Sequence, residues 1–477
     1  MPELDGSCSF RDPDGFVFQA DGRVFRCVLP HAAGEFRAFL ASPLVEGWIA
    51  EGKLIRTRTL AEPSSSDVPS EWRRRLPPGA VIVEHTPIPF PNYPYEWAPE
   101  MLRAAAMLTL ELAVAALRAG FALKDATPYN VMFDGPRPVF LDVLSFRRRD
   151  PLESIWQPYA QFIRTFVYPL LASRYFGLRL DEILLVHRDG LEPDRLLQLC
   201  PPYRLLAPPF LSSVTIPFLL ARGGRGAATD RYAGRRARDA GEAAFILERL
   251  FARAGRLLAA SGPRRRRGAA LQYMDSGHPY ASAEFAEKER FLVAAFARWS
   301  PKSVLDMGCN NGHFSLLAAR AGARGVAIDR EADVVGALWQ SASAANTPTL
   351  PLVVDIGRPP GASGWQNGEC TAFLDRARGT FDCVLMLALI HHLMVNERVP
   401  LDAILQLAAE LTTRLAIVEY IDPSDLLFRR IARGREALHL DVSRESFEAA
   451  AGRWFQILVA SDVSPTRRIY VLRKKEI

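Results

Sequence analysis

Cysteine is scarce in this chain and scattered. Six residues, at positions 8, 27, 200, 309, 370 and 383, form no CxxC pair and no cysteine–histidine cluster with zinc spacing. That excludes a zinc-stapled or disulfide framework and fits reduced thiols in a cytoplasmic enzyme. Long hydrophobic runs are missing too. The most apolar stretch, LLAPPFLSSVTIPFLLA, is broken by prolines and is short for a bilayer span. The opening MPELDGSCSFRDPDG has charges where a secretory signal needs an apolar core. No internal repeat is evident. The excess of positive charge is small: 59 lysines and arginines against 53 acids leave +6 over 477 residues, too little to establish nucleic-acid binding. The expected location is the cytoplasm.

What the chain does have is apolar content, 49% of its residues, enough for two or more cores. Residues 1–95 read as strand-rich. DPDGFVFQADGRVFRCV brackets alternating apolar runs with two DG turns, and VIVEHTPIPF reads as a further strand. Residues 96–221 read as mainly helical, led by a long alanine- and leucine-rich helix over about 98–119 whose apolar positions cover much of its circumference, so it is expected to be central and buried. Residues 222–269 read as an arginine-rich linker containing a helix and ending in Arg264–Arg267, solvated or in contact with phosphate. Residues 270–477 alternate strand and helix signals, which argues for a mainly parallel sheet.

The last region carries the chemistry. In SVLDMGCNNGHFS a strand runs into Gly308, Asn310 and Gly312 and then into an apolar-periodic helix. Glycines there permit a tight turn and close approach of a ligand, and the helix start offers free N–H groups. GVAIDR ends a second strand on Asp329, placed about 20 residues on to accept bonds from ribose hydroxyls. PLVVDIG ends a third on Asp355, and FDCVLMLALIHHL supplies a fourth, followed by a loop with His391 and His392. These residues fall at the carboxyl ends of strands, where such sheets bind ligands. The first loop is D-x-G-x-N-x-G and not G-x-G-x-x-G, so a dehydrogenase reading fails.

The ordered set VLDMGCNNG, VAIDR, VVDIG and FDCVLMLALIHHL resembles class I S-adenosylmethionine methyltransferases. The resemblance implies an α/β fold with a Rossmann-like seven-stranded sheet, closed by the two strands of FQILVASDVSPTRRIYVLRKK. It implies that Asp306 and the backbone from Gly308 through Asn310 to Gly312 hold the amino-acid end of the cofactor, that Asp329 takes the ribose, and that Asp355 and Ile356 flank the adenine. The tyrosine-bearing lead-in YMDSGHPYASAEFAEKE would close over the cofactor, with Tyr280 and Lys288 in that cap. His391 or His392 would act as general base. Glu419, placed after the next strand in VEYIDPSD, is an alternative base or a substrate-binding group. Arg467 and Arg468 are expected to be solvated.

The segment KDATPYNVMF, followed by VFLDVLSF, resembles the catalytic loop and metal-binding strand of protein-kinase-like and aminoglycoside-phosphotransferase-like folds. That resemblance implies a two-lobed α+β kinase-like domain ahead of the methyltransferase sheet. Asp125 would orient a phosphoryl acceptor, and Asn130 and Asp142 would bind the magnesium of Mg-ATP. Lys124 stands where histidine is usual, LDV where DFG is usual, and there is no glycine-rich loop, although Lys53 is available. The joined arrangement looks like a bacterial group of fused methyltransferases, some labelled nodulation proteins. The leading expectation is methyl transfer to an O or N atom of a small-molecule or glycan-like acceptor, with the N-terminal domain binding substrate or a partner. The alternatives are an RNA or protein methyltransferase, a bifunctional enzyme with ATP-dependent phosphotransfer, and a non-catalytic cofactor-binding module.

Overall fold

The computed structural model describes residues 7–9, 11–60, 67–223, 236–263, 279–433 and 442–476. The chain forms two compact units, Met1–Arg264 and Arg265–Ile477.

The first unit opens with an antiparallel sheet of five strands: β1 (Ser7–Ser9), β2 (Gly15–Ala20), β3 (Arg23–Val28), β4 (Thr57–Thr59) and β5 (Val81–His85), in the order β1-β2-β3-β5-β4. Asp21 and Gly22, with φ of 51° and 71°, make the two-residue turn between β2 and β3, the backbone that matches the twist of a tight hairpin. Phe18 of β2 stacks on Trp72 with ring centroids 4.2 Å apart. Two helices that the sequence reading does not anticipate, Ala33–Leu40 and Pro43–Ala50, lie between β3 and β4. The second is capped by the Ser42 hydroxyl, which accepts from Leu44 N–H.

The helix Pro99–Arg118 buries Met101, Leu102, Ala105, Leu112 and Ala116, as its wide apolar face requires. It stops at Gly120, where φ is 80°. Four short strands follow: β6 (Phe121–Leu123), β7 (Val131–Asp134), β8 (Arg137–Phe140) and β9 (Phe146–Arg148), paired β7 with β8 and β6 with β9. The helix Ala240–Ala260, expected within a linker, instead completes the first unit. Its Ala243, Leu247, Phe251, Ala254, Leu257 and Leu258 are buried, and Phe251 sits 4.8 Å from the Trp156 ring. An amphipathic helix of this length has a face to bury, and it buries it here. Arg264–Arg267 lie outside the described residues.

The second unit is a seven-stranded sheet: β10 (Ser303–Met307), β11 (Arg324–Asp329), β12 (Thr349–Val353), β13 (Phe381–Met386), β14 (Thr412–Ile421), β15 (Phe455–Ser464) and β16 (Arg467–Lys474), in the order β12-β11-β10-β13-β14-β16-β15. β10 to β14 are parallel, and β16 runs antiparallel between β14 and β15. The inner strands are near-continuous apolar runs because both faces are covered. Leu292 and Phe296 of the helix Pro279–Trp299 join Val304, Leu385, Ile417 and Val471 in one core. The strand order reverses between β10 and β13, and in an open α/β sheet that switch point opens the crevice for a ligand.

Candidate functional site

The loop after β10 is held open by its backbone. Gly308, Asn310 and Gly312 have φ of 74°, 48° and 75°. Gly308 and Cys309 N–H both donate to Ile328 O at 2.9 Å, and Asn310 N–H donates to Asp329 Oδ2 at 2.9 Å. The loop is thereby tied to the end of β11. Asp329 Oδ1 accepts from Glu331 N–H at 3.0 Å. Burial raises the Asp329 pKa, and the two N–H donors act against that rise. Asn310 Oδ1 is buried and has no hydrogen-bond partner.

Asp306 is the last acid of β10. Its carboxylate is buried under the loop and accepts from the Ser315 hydroxyl on the following helix. It therefore braces the loop from below. Burial pushes its pKa up to about 6, with the Ser315 bond opposing and Asp329 adding to the rise. A folded pKa above the unfolded value of 3.8 means the native state holds the extra proton. Stability is then greatest below about pH 4 and falls as pH rises through about 6, by about 3 kcal/mol at most. Asp306→Asn, which can still accept from Ser315, is expected to remove that fall. Urea denaturation of both proteins across this pH range checks it.

Asp355 stands two residues beyond β12, half-buried, and accepts from Gly357 N–H at 3.0 Å. Ile356 beside it is also half-buried. Tyr280 falls on the helix Pro279–Trp299, with its side chain outside the described set.

The expected loop at 387–392 is shorter. It covers 387–389, with Ala388 at φ 50°, and the helix Ile390–Val395 then starts. One turn sends His391 inward and His392 outward, with ring centroids 4.3 Å apart. His392 lies 3.4 Å from Asn396 Nδ2. Burial, with the nearby His392 ring and the Arg467 cation, pulls the His391 pKa down to about 3 and keeps the imidazole neutral. His391 Nδ1 is buried without a hydrogen-bond partner. The ring borders a small niche with Met394, Tyr420, Ile421, Phe428 and Phe447.

Glu419 lies within β14, not after it, and its side chain has no exposed surface. Lys288 Nζ reaches Glu419 Oε1 at 2.6 Å and Oε2 at 2.8 Å, and Arg467 Nη1 lies 3.6 Å from Oε1. So Glu419 is not a free base, and Lys288 belongs to this ion pair. Arg467, expected in solvent, is buried. Its Nε and Nη2 donate to the two oxygens of Asp425 at 2.9 and 3.1 Å, with Glu284 at 3.9 Å. The β16 strand brings Arg467 to the ligand end of the sheet, where burial demands acidic partners. Arg468 is 18% exposed and pairs with Asp462 at 2.7 Å, so it too is only partly solvated.

In the first unit the structure brings Asp125, Asn130 and Asp142 together. Asn130 Nδ2 lies 3.4 Å from Asp125 Oδ2, and Asp142 raises the Asp125 pKa after the larger effect of burial. The sequence reading missed Arg26 of β3, whose Nη1 binds Asp142 Oδ1 at 2.7 Å. It also missed Asp14, which pairs with Lys124 at 2.5 Å. Ser145 donates to the other Asp142 oxygen. Lys53 is spent on Glu51 and Glu111. Among the described residues no group of three or more histidines, cysteines or acids is arranged to hold a metal ion.

With this geometry in view, the matches to known proteins fall into place. Residues 280–456 match the family model of a methyltransferase domain. The C-terminal unit is thus a methyltransferase domain, with the fold that binds S-adenosylmethionine, and the chain is a methyltransferase. The whole chain is similar to the nodulation protein NoeA of Rhizobium meliloti, at 27% identity over 98% of this chain and 96% of the relative. Among solved structures it is similar to magnesium protoporphyrin IX methyltransferase from Synechocystis, at 19% identity over 40% of this chain and 84% of that one, TM-score 0.31. It is also similar to the N-methyltransferase NodS from Bradyrhizobium japonicum, at 13% identity over 40% of this chain and 97% of that one, TM-score 0.30. Among the described residues no helix is long and apolar enough to cross a membrane.

Proposed function

We propose that the chain transfers a methyl group from S-adenosylmethionine to an O or N atom of a small-molecule or glycan-like acceptor. The observation that carries this reading is a pair of buried polar atoms with no protein partner, Asn310 Oδ1 and His391 Nδ1. They follow the carboxyl ends of β10 and β13, the two strands that flank the switch point. Buried polar atoms left unmatched cost free energy, and a ligand between them would supply the missing bonds.

The cofactor supplies an electrophilic methyl on a sulfonium. The chain's own residues bind and orient. The loop from Gly308 to Gly312 brings its backbone against the amino-acid end, Asp329 accepts from the ribose hydroxyls, and Asp355 and Ile356 border the adenine. His391 is neutral, so its free Nδ1 can take a hydrogen bond from the acceptor's O–H or N–H and point the lone pair at the methyl. In-line placement of this kind accounts for most of what a reaction with so good a donor requires. A pKa of about 3 makes His391 a weak proton sink, so its main contribution is orientation, and the proton released on methylation passes to water.

For the N-terminal unit we read Asp125, Asn130 and Asp142 as the remains of a phosphotransferase-like centre that now serves acceptor or partner binding. The Arg26–Asp142 ion pair supports this, because it fills a carboxylate oxygen that a magnesium ion would need. One experiment tests both parts. The full chain is incubated with methyl-labelled S-adenosylmethionine and fractionated extract of the source organism, with and without ATP and magnesium. Label is expected in the small-molecule fraction, unaffected by ATP, and reduced about 100-fold in His391→Ala through lost positioning. Label in RNA or protein would refute the metabolite reading, and dependence on ATP would refute the inactive phosphotransfer centre.

A further inference from the structure

The first unit carries an apolar surface that a helix normally hides. The helical run 211–223 buries Ser213 and Val214 on one side. On the other side Ile216 and Leu219, one turn apart, are 44% and 60% exposed. The segment packed against it, Pro202–Leu205 and the residue after it, adds Tyr203 at 71% and Leu206 at 72% exposed, and Thr215 Oγ1 ties the two through Leu205 O at 2.8 Å. Single exposed leucines need no explanation, but a cluster on adjoining helices does.

Positive charge borders that surface. Arg253 of the helix Ala240–Ala260 donates to Ser212 O at 2.6 Å, which fixes this helix beside the run 211–223. Arg249, Arg253 and Arg256 fall at i, i+4 and i+7 on its exposed face, and Phe245, 58% exposed, lies under the Arg249 guanidinium. Among the described residues none of these three arginines is paired with an acid. Arg204 sits over the Tyr203 ring.

We propose that this face docks on an anionic lipid bilayer, with Ile216, Leu219, Leu206 and Tyr203 entering the headgroup boundary and the arginines meeting lipid phosphate. An apolar stripe flanked by arginine matches a surface that is apolar below and negative above. A protein partner would need acids placed to match each arginine, whereas anionic headgroups rearrange to do so. The run is short and lies on the surface of a folded unit, so the chain would rest on the membrane without crossing it. A methyltransferase held there would meet amphiphilic acceptors at the bilayer, an extension that rests on the proposed small-molecule reaction, whereas docking itself does not.

Sedimentation of the full chain with vesicles tests the docking. Binding is expected to vesicles of phosphatidylglycerol and phosphatidylcholine, to be absent with phosphatidylcholine alone, and to weaken with added salt. Leu219→Glu, at a largely exposed position, is expected to weaken binding about tenfold or more while leaving S-adenosylhomocysteine binding by calorimetry intact. A chain that stays in the supernatant with anionic vesicles overturns the proposal, as does a Leu219→Glu variant that pellets like the parent. Loss of self-association in Leu219→Glu without any vesicle binding also overturns it and assigns the stripe to a second copy. If docking holds but no label reaches a small molecule in the transfer experiment, the acceptor reading fails and the docking stands.

Discussion

Replacing Arg467 with alanine is expected to destabilise the C-terminal unit by about 3–5 kcal/mol, because it leaves buried carboxylates without their cation. Asp425 is 8% exposed and loses both of its guanidinium bonds, at 2.9 and 3.1 Å. Glu419, with no exposed surface, keeps only Lys288. The same reasoning makes Lys288→Met costly alone. The double variant Lys288→Met with Glu419→Leu removes both charges together and is expected to fall within about 1–2 kcal/mol of the parent. Hydrogen exchange of β14 and β16 amides in the full chain measures each change within this unit. An Arg467→Ala protein with unaltered protection there would show that the buried network adds nothing to stability.

The second large effect concerns Gly312. Its φ of 75° is disfavoured for any side chain, and a Cβ would lie 2.2 Å from Leu338 Cδ1. Leu338 is fully buried and cannot step aside. Gly312→Val therefore displaces the loop that the proposed cofactor site is built on. S-adenosylhomocysteine binding is expected to weaken by about 100-fold or more, the equivalent of about 3 kcal/mol of lost preorganisation. Gly322 provides the comparison. It has φ of 92° but nothing within 4 Å of its would-be Cβ. Gly322→Ala should cost only the backbone strain, about 1–2 kcal/mol in stability, and leave binding unchanged. Calorimetry on the two variants separates the effects, and equal losses of affinity would refute the role given to the Gly312 contact.

The strand ends that carry Asp306, Asp329 and Asp355 were legible in the sequence because each is local. A short apolar run ends on an acid or a glycine, and the next helix begins within a few residues. The helix Pro99–Arg118 was legible for the same reason, since composition and its glycine stop sit side by side. What escaped depends on distant pairing. Arg467 looks like a turn residue until Asp425, 42 positions earlier, is brought against it. Lys288 and Glu419 are 131 positions apart. Arg26 is in β3, whereas Asp142 lies between β8 and β9. No local pattern could place these charges in the interior. The helix Pro43–Ala50 was a different kind of miss, because its Ser42–Pro43 start is a recognisable capping signal. The bond to Asp306 from Ser315, nine residues on, was not legible either, because the two face each other only once the helix has formed.

The sheet of the C-terminal unit also sets an order in time. β16 follows β15 in the chain, yet it lies between β15 and β14. During synthesis β14 therefore keeps an unpaired edge, and β15 has no neighbour, until residues 467–474 have left the ribosome. Five parallel strands can assemble before that moment, but Arg467 arrives only with β16. Until then Asp425 and Glu419 lack their guanidinium. The N-terminal unit has the same arrangement in β5, which lies between β3 and β4, but its last helix ends at Ala260, so it can be complete while the second unit is still an open-edged intermediate. Chaperone demand and proteolytic nicking of nascent chains should then concentrate on the second half of the protein.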